Sequence, residues 1–344
     1  MKKKKPSIAI LAPCYNEEKT IRKCVLSWLN QIHPADEIII VNDCSTDGTL
    51  EILQEFKDRV TIVDLLKNTG NKSYVQEEGL KYVTKDVFIA TDADTIMDRH
   101  FVERVVIAFR DKRVHAFAGY IKSLRGNWLT ACREIDYLIG QDLHKAAQYH
   151  INFLFVIPGC AGAFRTKVFK KNISFDHDTL TEDLDFTYRI NKLDLNILYD
   201  REAIVYTQDP DTIKSYINQI RRWYSGGWQN LLKHKGIMKK KPIRAMELSI
   251  VYIEGLIFYP LMFIIPIISI KAFFYLILYC AALGLFFGIY SAIKRKRLDL
   301  FFYSPLYIIV TYIHSYIFME QFIKEVILKK RNLKWYHPER RKMT

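Results

Sequence analysis

Cysteine is scarce in this sequence, and its spacing fits neither a disulfide framework nor a metal finger. The six cysteines are far apart, at positions 14, 24, 44, 132, 160 and 280, and they form no C-x-x-C pair. Structural zinc sites and small disulfide-rich secreted scaffolds are therefore excluded. We expect six reduced thiols in a cytosolic compartment.

Acidic side chains are scarce in the last third of the chain. The formal net charge is +14, yet residues 1–229 hold 32 basic and 31 acidic side chains, whereas residues 230–344 hold 19 basic and 6 acidic ones. A nucleic-acid-binding protein would carry its basic excess on the folded domain, where the excess can neutralise phosphates. Here the excess flanks long apolar runs, which indicates a lipid bilayer as partner and excludes nucleic acid.

Three apolar stretches, at 248–270, 271–293 and 300–323, are each long enough to cross about 30 Å of hydrocarbon. Basic residues flank them at 239–244, 294–297 and 329–331. If all three cross, the positive-inside rule holds at the first two flanks and fails at the third. An even number of crossings would satisfy the rule, with the first segment, which begins near Glu247 and Glu254, lying in the interface. The sequence therefore predicts two or three transmembrane helices.

The first half of the chain alternates short β-branched runs with amphipathic stretches, which predicts a βαβα order and a parallel sheet. The expected strands are Ser7–Ala12, Glu37–Val41, Val60–Val63 and Val87–Ala90. Helices are expected at 17–31, 49–57, 73–83, 127–149, from 181 onward, and at 212–232. Three of the strands end in polar clusters, at 13–18, 42–48 and 91–94. Because ligands of open α/β sheets bind beyond the carboxyl ends of strands, these clusters predict one nucleotide-binding crevice.

Four acidic residues are candidates for chemistry. Asp92 and Asp94 stand one residue apart after a buried strand, where they can share a hard divalent cation. Asp43 ends the second strand and can accept hydrogen bonds from a nucleoside base or ribose. Asp183 lies at the start of a predicted helix, where the macrodipole favours the ionised carboxylate that a general base needs. Taken singly, each acid is also consistent with a solvated turn or an ordinary first-turn residue.

Gln219, Arg222 and Trp223 lie on a predicted helix ahead of the apolar segments. Arginine and tryptophan are also typical of a membrane interface, and that alternative stays open for this motif alone. In the other interpretation, Arg222 is a fixed cation for a diphosphate leaving group, because a guanidinium suits phosphate geometry. Trp223 would then form a flat apolar wall for a sugar ring.

Taken in order, these motifs resemble the processive branch of the family 2 glycosyltransferases, which includes cellulose, chitin, hyaluronan and poly-N-acetylglucosamine synthases. The pattern of that family is an Asp, an Asp-x-Asp, a Thr-Glu-Asp and a Gln-x-x-Arg-Trp, matched here at positions 43, 92–94, 181–183 and 219–223. Further matches are the opening at 13–18, a lysine-containing segment at 71–79, a glycine-rich loop at 158–165 and a Trp-and-Arg segment at 335–340. Cys44 stands where the family usually has glycine. The membrane portion is short, which leaves open whether one chain forms a complete polymer channel.

The resemblance implies an α/β fold, with a GT-A nucleotide-diphosphate-sugar-binding domain followed by C-terminal transmembrane helices. It implies a cytosolic GT-A domain at 1–235, divided into a nucleotide-binding half (7–113) and an acceptor-binding half (114–235). A membrane region (236–328) and a basic C-terminal tail (329–344) would follow. The protein would be an inverting hexosyltransferase and a multi-pass protein of the plasma membrane. It would transfer a sugar from UDP-N-acetylglucosamine or UDP-glucose to a growing β-linked polysaccharide, with an export partner or a second copy of the chain as further partners.

The resemblance also assigns roles to individual residues. Asp183 would be the catalytic base, and Asp94 with Asp92 would hold Mg²⁺ or Mn²⁺. The nucleotide-sugar site would comprise Pro13, Tyr15, Glu17, Asp43, Lys72, Asp92, Gln219 and Arg222. The acceptor site would comprise Gly159, Cys160, Glu182 and Trp223.

Two alternative functions remain at this stage. A non-processive transferase that glycosylates a polyprenyl phosphate or a glycolipid shares the Asp motifs but does not require the Gln-x-x-Arg-Trp motif. A non-catalytic membrane protein, either a transporter subunit or a scaffold, would need no set of four positioned acids. An assay of UDP release separates this last alternative from an enzyme.

Overall fold

The computed structural model describes residues 5–236, 242–333 and 341–343. The predictions that fall on 239–241, on the side chain of Glu247 and on the Trp-and-Arg segment at 335–340 lie outside the described residues. Contacts divide the chain into two compact units. The first unit comprises the described residues up to Lys122, Asn152–Gln208 and the last three, 341–343; the second comprises Ser123–Ile151 and 209–333 as far as they are described. The domain limits at 113, 235 and 328 stay predictions.

The eight strands among the described residues form one sheet, which belongs to the first unit except for Ser123, the last residue of β6. Its spatial order is β3-β2-β1-β4-β7-β6-β8-β5. Strands β1 to β4 are parallel, with Leu11 paired to both Ile39 and Ala90, whereas β7 is antiparallel to β4 and β6, and β5 is antiparallel to β8. The strands are β1 Ile8–Cys14, β2 Glu37–Asn42, β3 Thr61–Asp64, β4 Val87–Ala90, β5 Thr95–Met97, β6 Val114–Ser123, β7 Gly162–Arg165 and β8 Asn196–Thr207.

Thirteen α-helices occur among the described residues. They are α1 Ile21–Leu29, α2 Thr49–Gln54, α3 Lys72–Tyr82, α4 Phe101–Phe109, α5 Trp128–Ile139, α6 Ala146–His150, α7 Thr166–Asn172, α8 Glu182–Lys192, α9 Ile213–Lys233, α10 Pro242–Ile268, α11 Ile270–Arg295, α12 Leu298–Tyr303 and α13 Tyr307–Gln321. A π-helical turn, Gly140–Lys145, interrupts the single helix that the sequence predicts for 127–149. A second π-helical turn, Phe322–Ile327, follows α13.

The core of the first unit is the sheet, buried by α-helices and by a cluster of aromatic rings. The central strands β1 and β4 are almost fully buried, as expected for parallel strands covered on both faces. Phe164 of β7 contacts Phe169 and Phe186, with ring centroids 4.9 and 5.0 Å apart. The predicted βαβα half, from β1 to β4, is confirmed.

Helix α3 packs closely on the sheet at Gly79. A Cβ atom at this position would lie 2.4 Å from Leu11 Cδ1 and 2.6 Å from Val41 Cγ2. We expect Gly79→Ala to lower the free energy of unfolding by about 1–3 kcal/mol, because a methyl group forced into a close-packed core shifts the backbone. Gly140→Ala is the matched control, since nothing lies within 4 Å of its added Cβ. Thermal unfolding of the two variants measures the difference, and equal stabilities would contradict this packing.

The second unit combines α5 and α9 with the apolar helices. Leu129 and Cys132 of α5 and Tyr216 of α9 form one apolar cluster with Val310 and Ile317 of α13. Glu134 of α5 and Arg295 at the end of α11 form an ion pair. The described part of this unit holds three helical segments long and apolar enough to span a membrane, Ile250–Ile268, Ile270–Arg295 and Leu298–Ile327, which confirms the predicted apolar helices.

Candidate functional site

The polar ends of β1, β2 and β4 interlock in the first unit. After β1, the Asn16 N–H donates to Ser45 Oγ at 3.0 Å, which joins the ends of β1 and β2. Thr20 Oγ1 donates to Ala93 O at 3.1 Å, which joins the β1 end to the loop after β4. The three predicted clusters therefore meet at one edge of the sheet.

Asp43 is held by the loop that follows β3. Its carboxylate accepts hydrogen bonds from Thr69 N at 2.8 Å and from Thr69 Oγ1 at 3.0 Å, and Asn68 Nδ2 donates to its main-chain oxygen. Burial raises the pKa of Asp43, and the two bonds from Thr69 lower it only in part. Thr69 was not predicted from the sequence, although the Asn-Thr-Gly-Asn run at 68–71 is a turn signal that marks this loop.

The other predicted residues of the β1 end have different environments. Pro13 is paired with Val41 across the β1–β2 ladder, and Tyr15 is partly buried just beyond that strand. Glu17 is buried, and its carboxylate accepts a hydrogen bond from Thr20 Oγ1 at 2.7 Å. Its main-chain N–H donates to Thr49 Oγ1 at 2.8 Å, which fixes the loop to the start of α2.

Lys72 links the loop after β4 to the start of α8. Its Nζ lies 2.6 Å from Asp92 Oδ1 and 2.9 Å from Glu182 Oε1. Asn71 caps α3 by accepting a hydrogen bond from Ser73 N, which fixes the helix turn that carries Lys72. Burial lowers the pKa of Lys72, but the two carboxylates raise it by more, so the amine is charged at neutral pH.

Asp183 lies in the first turn of α8. Its carboxylate accepts from Leu184 N at 2.9 Å and, over a longer distance of 3.4 Å, from Gly159 N. Such donors stabilise the charge of a carboxylate. A threonine just before two acids predicts Thr181 as the N-cap of this helix. Thr181 does occupy the N-cap position, but its side chain makes no capping hydrogen bond, so its predicted capping role is wrong.

The glycine-rich loop lies close to the ion pair of Lys72 with Glu182. A Cβ atom on Gly159 would lie 3.2 Å from Lys72 Nζ and 3.4 Å from Glu182 Oε1, so a larger residue would press on the pair. The next residue, Cys160, accepts a hydrogen bond from Thr91 Oγ1 at its main-chain oxygen. Burial, with the nearby charges of Asp92 and Asp94, raises the pKa of the Cys160 thiol, which is therefore protonated rather than nucleophilic.

The donor atoms of Asp92 and Asp94 suit a hard divalent cation. Both are carboxylates at the end of β4, and Asp94 is buried with an Oδ1 that accepts from Thr95 Oγ1 at 3.0 Å. Oxygen ligands of this kind are those that Mg²⁺ and Mn²⁺ prefer. The Lys72 ammonium already lies against Asp92, so this carboxylate faces a positive charge, as it would beside a metal ion.

A second group of acids lies in the first unit and was not predicted. Carboxylate oxygens of Asp176, Asp178 and Asp185 lie within 4.8 Å of one another. Arg189 forms ion pairs with Asp176 and, at 2.6 Å, with Asp185. The guanidinium therefore supplies the counter-charge of this group, and the metal assignment to Asp92 and Asp94 stays a prediction.

Gln219, Arg222 and Trp223 lie on α9 in the second unit. Gln219 and Trp223 are one turn apart and so share a face of the helix. No donor among the described residues hydrogen-bonds to the buried Gln219 Oε1. Trp223 is only partly buried, and the guanidinium carbon of Arg133 lies 4.7 Å from its ring centroid. The Gln219 amide and the Trp223 indole therefore lie side by side on α9, and their predicted contacts with a nucleotide sugar stay a prediction.

Residues 9–171 match the model of the glycosyl transferase family 2. The poly-β-1,6-N-acetyl-D-glucosamine synthase of Staphylococcus epidermidis is 30% identical over 230 residues, which cover 66% of this chain and 56% of that protein. A probable glycosyltransferase of Bacillus subtilis, YdaM, is 29% identical over 241 residues, which cover 67% of this chain and 57% of the relative. The chain thus spans little more than half the length of these curated relatives.

Two solved structures share the fold at low sequence identity. The mannosyltransferase PcManGT from Pyrobaculum calidifontis, in complex with GDP-Man and Mn²⁺, has a TM-score of 0.65 at 17% identity and covers 95% of this chain and 89% of its own. Residues 1–349 of Staphylococcus aureus TarS, in complex with UDP, have a TM-score of 0.51 at 17% identity, covering 94% and 91%. The predicted α/β architecture is therefore confirmed. Residues 9–171 thus match the family 2 glycosyltransferase model, and the sheet has the GT-A-like fold of these solved structures. Among the described residues, three helical segments that are long and apolar enough to span a membrane follow.

Proposed function

We propose that the chain is a membrane-anchored, inverting glycosyltransferase that transfers N-acetylglucosamine from its UDP-sugar to a growing β-linked polysaccharide. The observation that carries this proposal is the Lys72 ammonium between Asp92 and Glu182, because it joins the predicted donor and acceptor motifs at one point. The names of the relatives support the sugar, and TarS was solved with UDP-GlcNAc. The basic flanks of the apolar helices favour a cytosolic position for the catalytic domain.

On the donor side, Asp43 would contact the base or ribose, beside Pro13, Tyr15 and Glu17. Lys72 would place its charge near the diphosphate, where a cation opposes the negative charge that develops on the leaving UDP. Gln219 and Arg222 would complete the donor site from α9, with the guanidinium suited to phosphate oxygens.

Asp92 and Asp94 would hold Mg²⁺ or Mn²⁺. A bound cation of this kind neutralises charge on a departing diphosphate, which is the chemistry it would supply here. The protein would contribute the two carboxylates that fix it, and Thr95 would orient Asp94 through the hydrogen bond to its Oδ1.

On the acceptor side, Asp183 would take the proton from the acceptor hydroxyl as that oxygen attacks the anomeric carbon. Attack opposite to the UDP leaving group inverts the configuration and gives a β-linkage. A general base contributes about 10²–10⁴ in rate, so the larger share must come from aligning the two sugars and stabilising the leaving group. Gly159, Cys160, Glu182 and Trp223 would form the acceptor site.

The proposal is tested on the full chain, purified in detergent and reconstituted in lipid nanodiscs. We expect release of UDP from UDP-N-acetylglucosamine together with a product that grows beyond one added sugar. UDP-glucose and a polyprenyl phosphate are tested in parallel. Transfer of a single sugar to the polyprenyl phosphate, without polymer, would replace this proposal with the non-processive alternative.

We expect Asp94→Asn to abolish metal-dependent turnover, because an amide cannot offer a full negative charge to a divalent cation. UDP release is measured against Mn²⁺ concentration for the variant and the wild type. Asp178→Asn, in the exposed part of the second acidic group, is the control and should keep the wild-type metal dependence. Wild-type turnover that survives EDTA would contradict the metal role of Asp94.

A further inference from the structure

Arg133 of α5 is a buried arginine in the second unit that no motif assigns. Its side chain is only 3% exposed. Its guanidinium carbon lies 4.7 Å from the ring centroid of Trp223, 4.6 Å from that of Tyr137 and 5.8 Å from that of Tyr216. These distances are within the range of cation–π attraction, and tryptophan is the strongest of the aromatic partners.

Two carboxylates fix the guanidinium from its other sides. Arg133 Nη1 donates to Asp136 Oδ2 at 3.0 Å, and Nε lies 3.7 Å from Asp209 Oδ1. Asp209 in turn accepts a hydrogen bond from the Tyr137 hydroxyl at 3.0 Å. A buried guanidinium held by two acids has little rotational freedom, so the ring stacked on it is confined as well.

The stack meets α9 on the face that carries the Gln-x-x-Arg-Trp motif. Trp223 is partly exposed there, and Gln219 Oε1 one turn earlier has no donor among the described residues. Charge balance for Asp136 and Asp209 requires a cation but does not require a flat one beside the indole. The planar guanidinium therefore has a second role besides neutralising the two acids, which is to stack on the indole ring.

We propose that Arg133 is a positioning residue that fixes the Trp223 ring for the acceptor sugar. The inference rests on the proposed function of Trp223 as the wall of the acceptor site. Arg133 acts through the indole and touches no substrate itself.

The test is a double-mutant cycle on the full chain in nanodiscs, with UDP-N-acetylglucosamine as donor and a short β-linked N-acetylglucosamine oligomer as acceptor. Arg133→Lys keeps the charge beside the two acids but removes the planar stack. We expect the acceptor KM to rise about five- to thirtyfold, the factor that matches a lost buried cation–π contact, with the donor KM unchanged. In a Trp223→Ala background, the same substitution should have no further effect on the acceptor KM.

Arg295→Lys is the matched structural control, because Arg295 pairs with Glu134 on the same helix α5. It should lower the unfolding temperature without changing the acceptor KM. If Arg133→Lys does not fold, Asp209→Asn loosens the guanidinium on its Nε side and should shift the acceptor KM in the same direction by less.

An equal effect of Arg133→Lys in the wild-type and Trp223→Ala backgrounds would overturn the inference, as would a parallel rise in both KM values. An unchanged acceptor KM in Trp223→Ala itself would overturn the acceptor role of Trp223 and this inference with it. The proposed function, transfer of the sugar to a growing polymer, would then still stand, because UDP release and product length are measured separately. Failure of the proposed function would instead appear as no polymer from the wild-type chain.

Discussion

Asp183→Asn is expected to reduce the rate of sugar transfer by about 10²–10⁴ while UDP affinity stays nearly unchanged. The substitution keeps the shape of the side chain, and an amide oxygen can still accept from Leu184 N, so the first turn of α8 should form as before. It removes the negative charge and the basicity that are needed to accept a proton from the acceptor hydroxyl.

The decisive comparison pairs UDP affinity from calorimetry with the rate of transfer, for wild type and variant. Asp185→Asn is the matched control, because Asp185 lies on the same turn of α8 but is paired with Arg189. This control should lose stability and keep its rate per folded molecule. If UDP binding and transfer fall together in Asp183→Asn, then Asp183 serves the donor site or the fold instead of the acceptor.

The first half of the fold follows from local pattern. Strands β1 to β4 are short apolar runs, and the sequence places each of them within two residues of its observed bounds. The polar residues that end β1, β2 and β4 were expected to meet, and the hydrogen bonds from Asn16 and Thr20 join them. Parallel strands make this possible, because all their carboxyl ends lie at one edge of the sheet.

The second half of the sheet was not predictable in this way. Strand β7 is antiparallel to β4 and β6, β5 is antiparallel to β8, and the strands are out of chain order, with β7 between β4 and β6. Such an order depends on which strand edges remain open once the parallel part has formed, and no local pattern encodes it. The ion pair of Lys72 with Glu182 has the same origin, since 110 positions of sequence separate the two residues.

The amphipathic pattern of α5 and α9 predicts the helices but not what covers their apolar faces. These faces pack with α13, so that Leu129, Tyr216 and Val310 share one cluster. Removal of the apolar helices would expose that cluster, and a fragment ending near residue 236 should therefore need detergent to stay monomeric. Likewise, the π-helical turn at Gly140–Lys145 lies within an otherwise continuous helical pattern and has no signal in the sequence.

Lys72→Met is expected to destabilise the first unit and to weaken UDP binding together. The substitution leaves Asp92 and Glu182 facing one another with no cation, although both lie within 2.9 Å of the Nζ atom in the wild type. Removal of one partner from a buried pair costs about 3–5 kcal/mol, and the partial exposure of Asp92 favours the lower end of that range. Thermal unfolding and UDP calorimetry measure the two effects.

The effect of pH on this variant has a definite sign. The two carboxylates raise the pKa of Lys72 above its unfolded value despite its burial. Its contribution to stability is therefore complete below the unfolded pKa, about 10.4, and is lost only as pH rises through the folded pKa. Lys72 should therefore cause no change in the stability of the wild type between about pH 6 and 9. Lys72→Met removes this contribution, so the stability gap between the variant and the wild type should be the same at both ends of that pH range.

The double variant Lys72→Met/Glu182→Gln separates the charge of Lys72 from its role in binding. The double variant loses the negative charge of Glu182 together with the positive charge of Lys72, so the net local charge is that of the wild type. Most of the lost stability should therefore return. UDP affinity should remain low, because the cation that would face the diphosphate is still missing. If UDP affinity recovers along with stability, then Lys72 acts only within the fold and the diphosphate is held by other groups. If neither stability nor UDP affinity recovers, repulsion between the two carboxylates does not account for the destabilisation by Lys72→Met. The ion pairs of Lys72 would then not be what holds the loop after β4 to the start of α8.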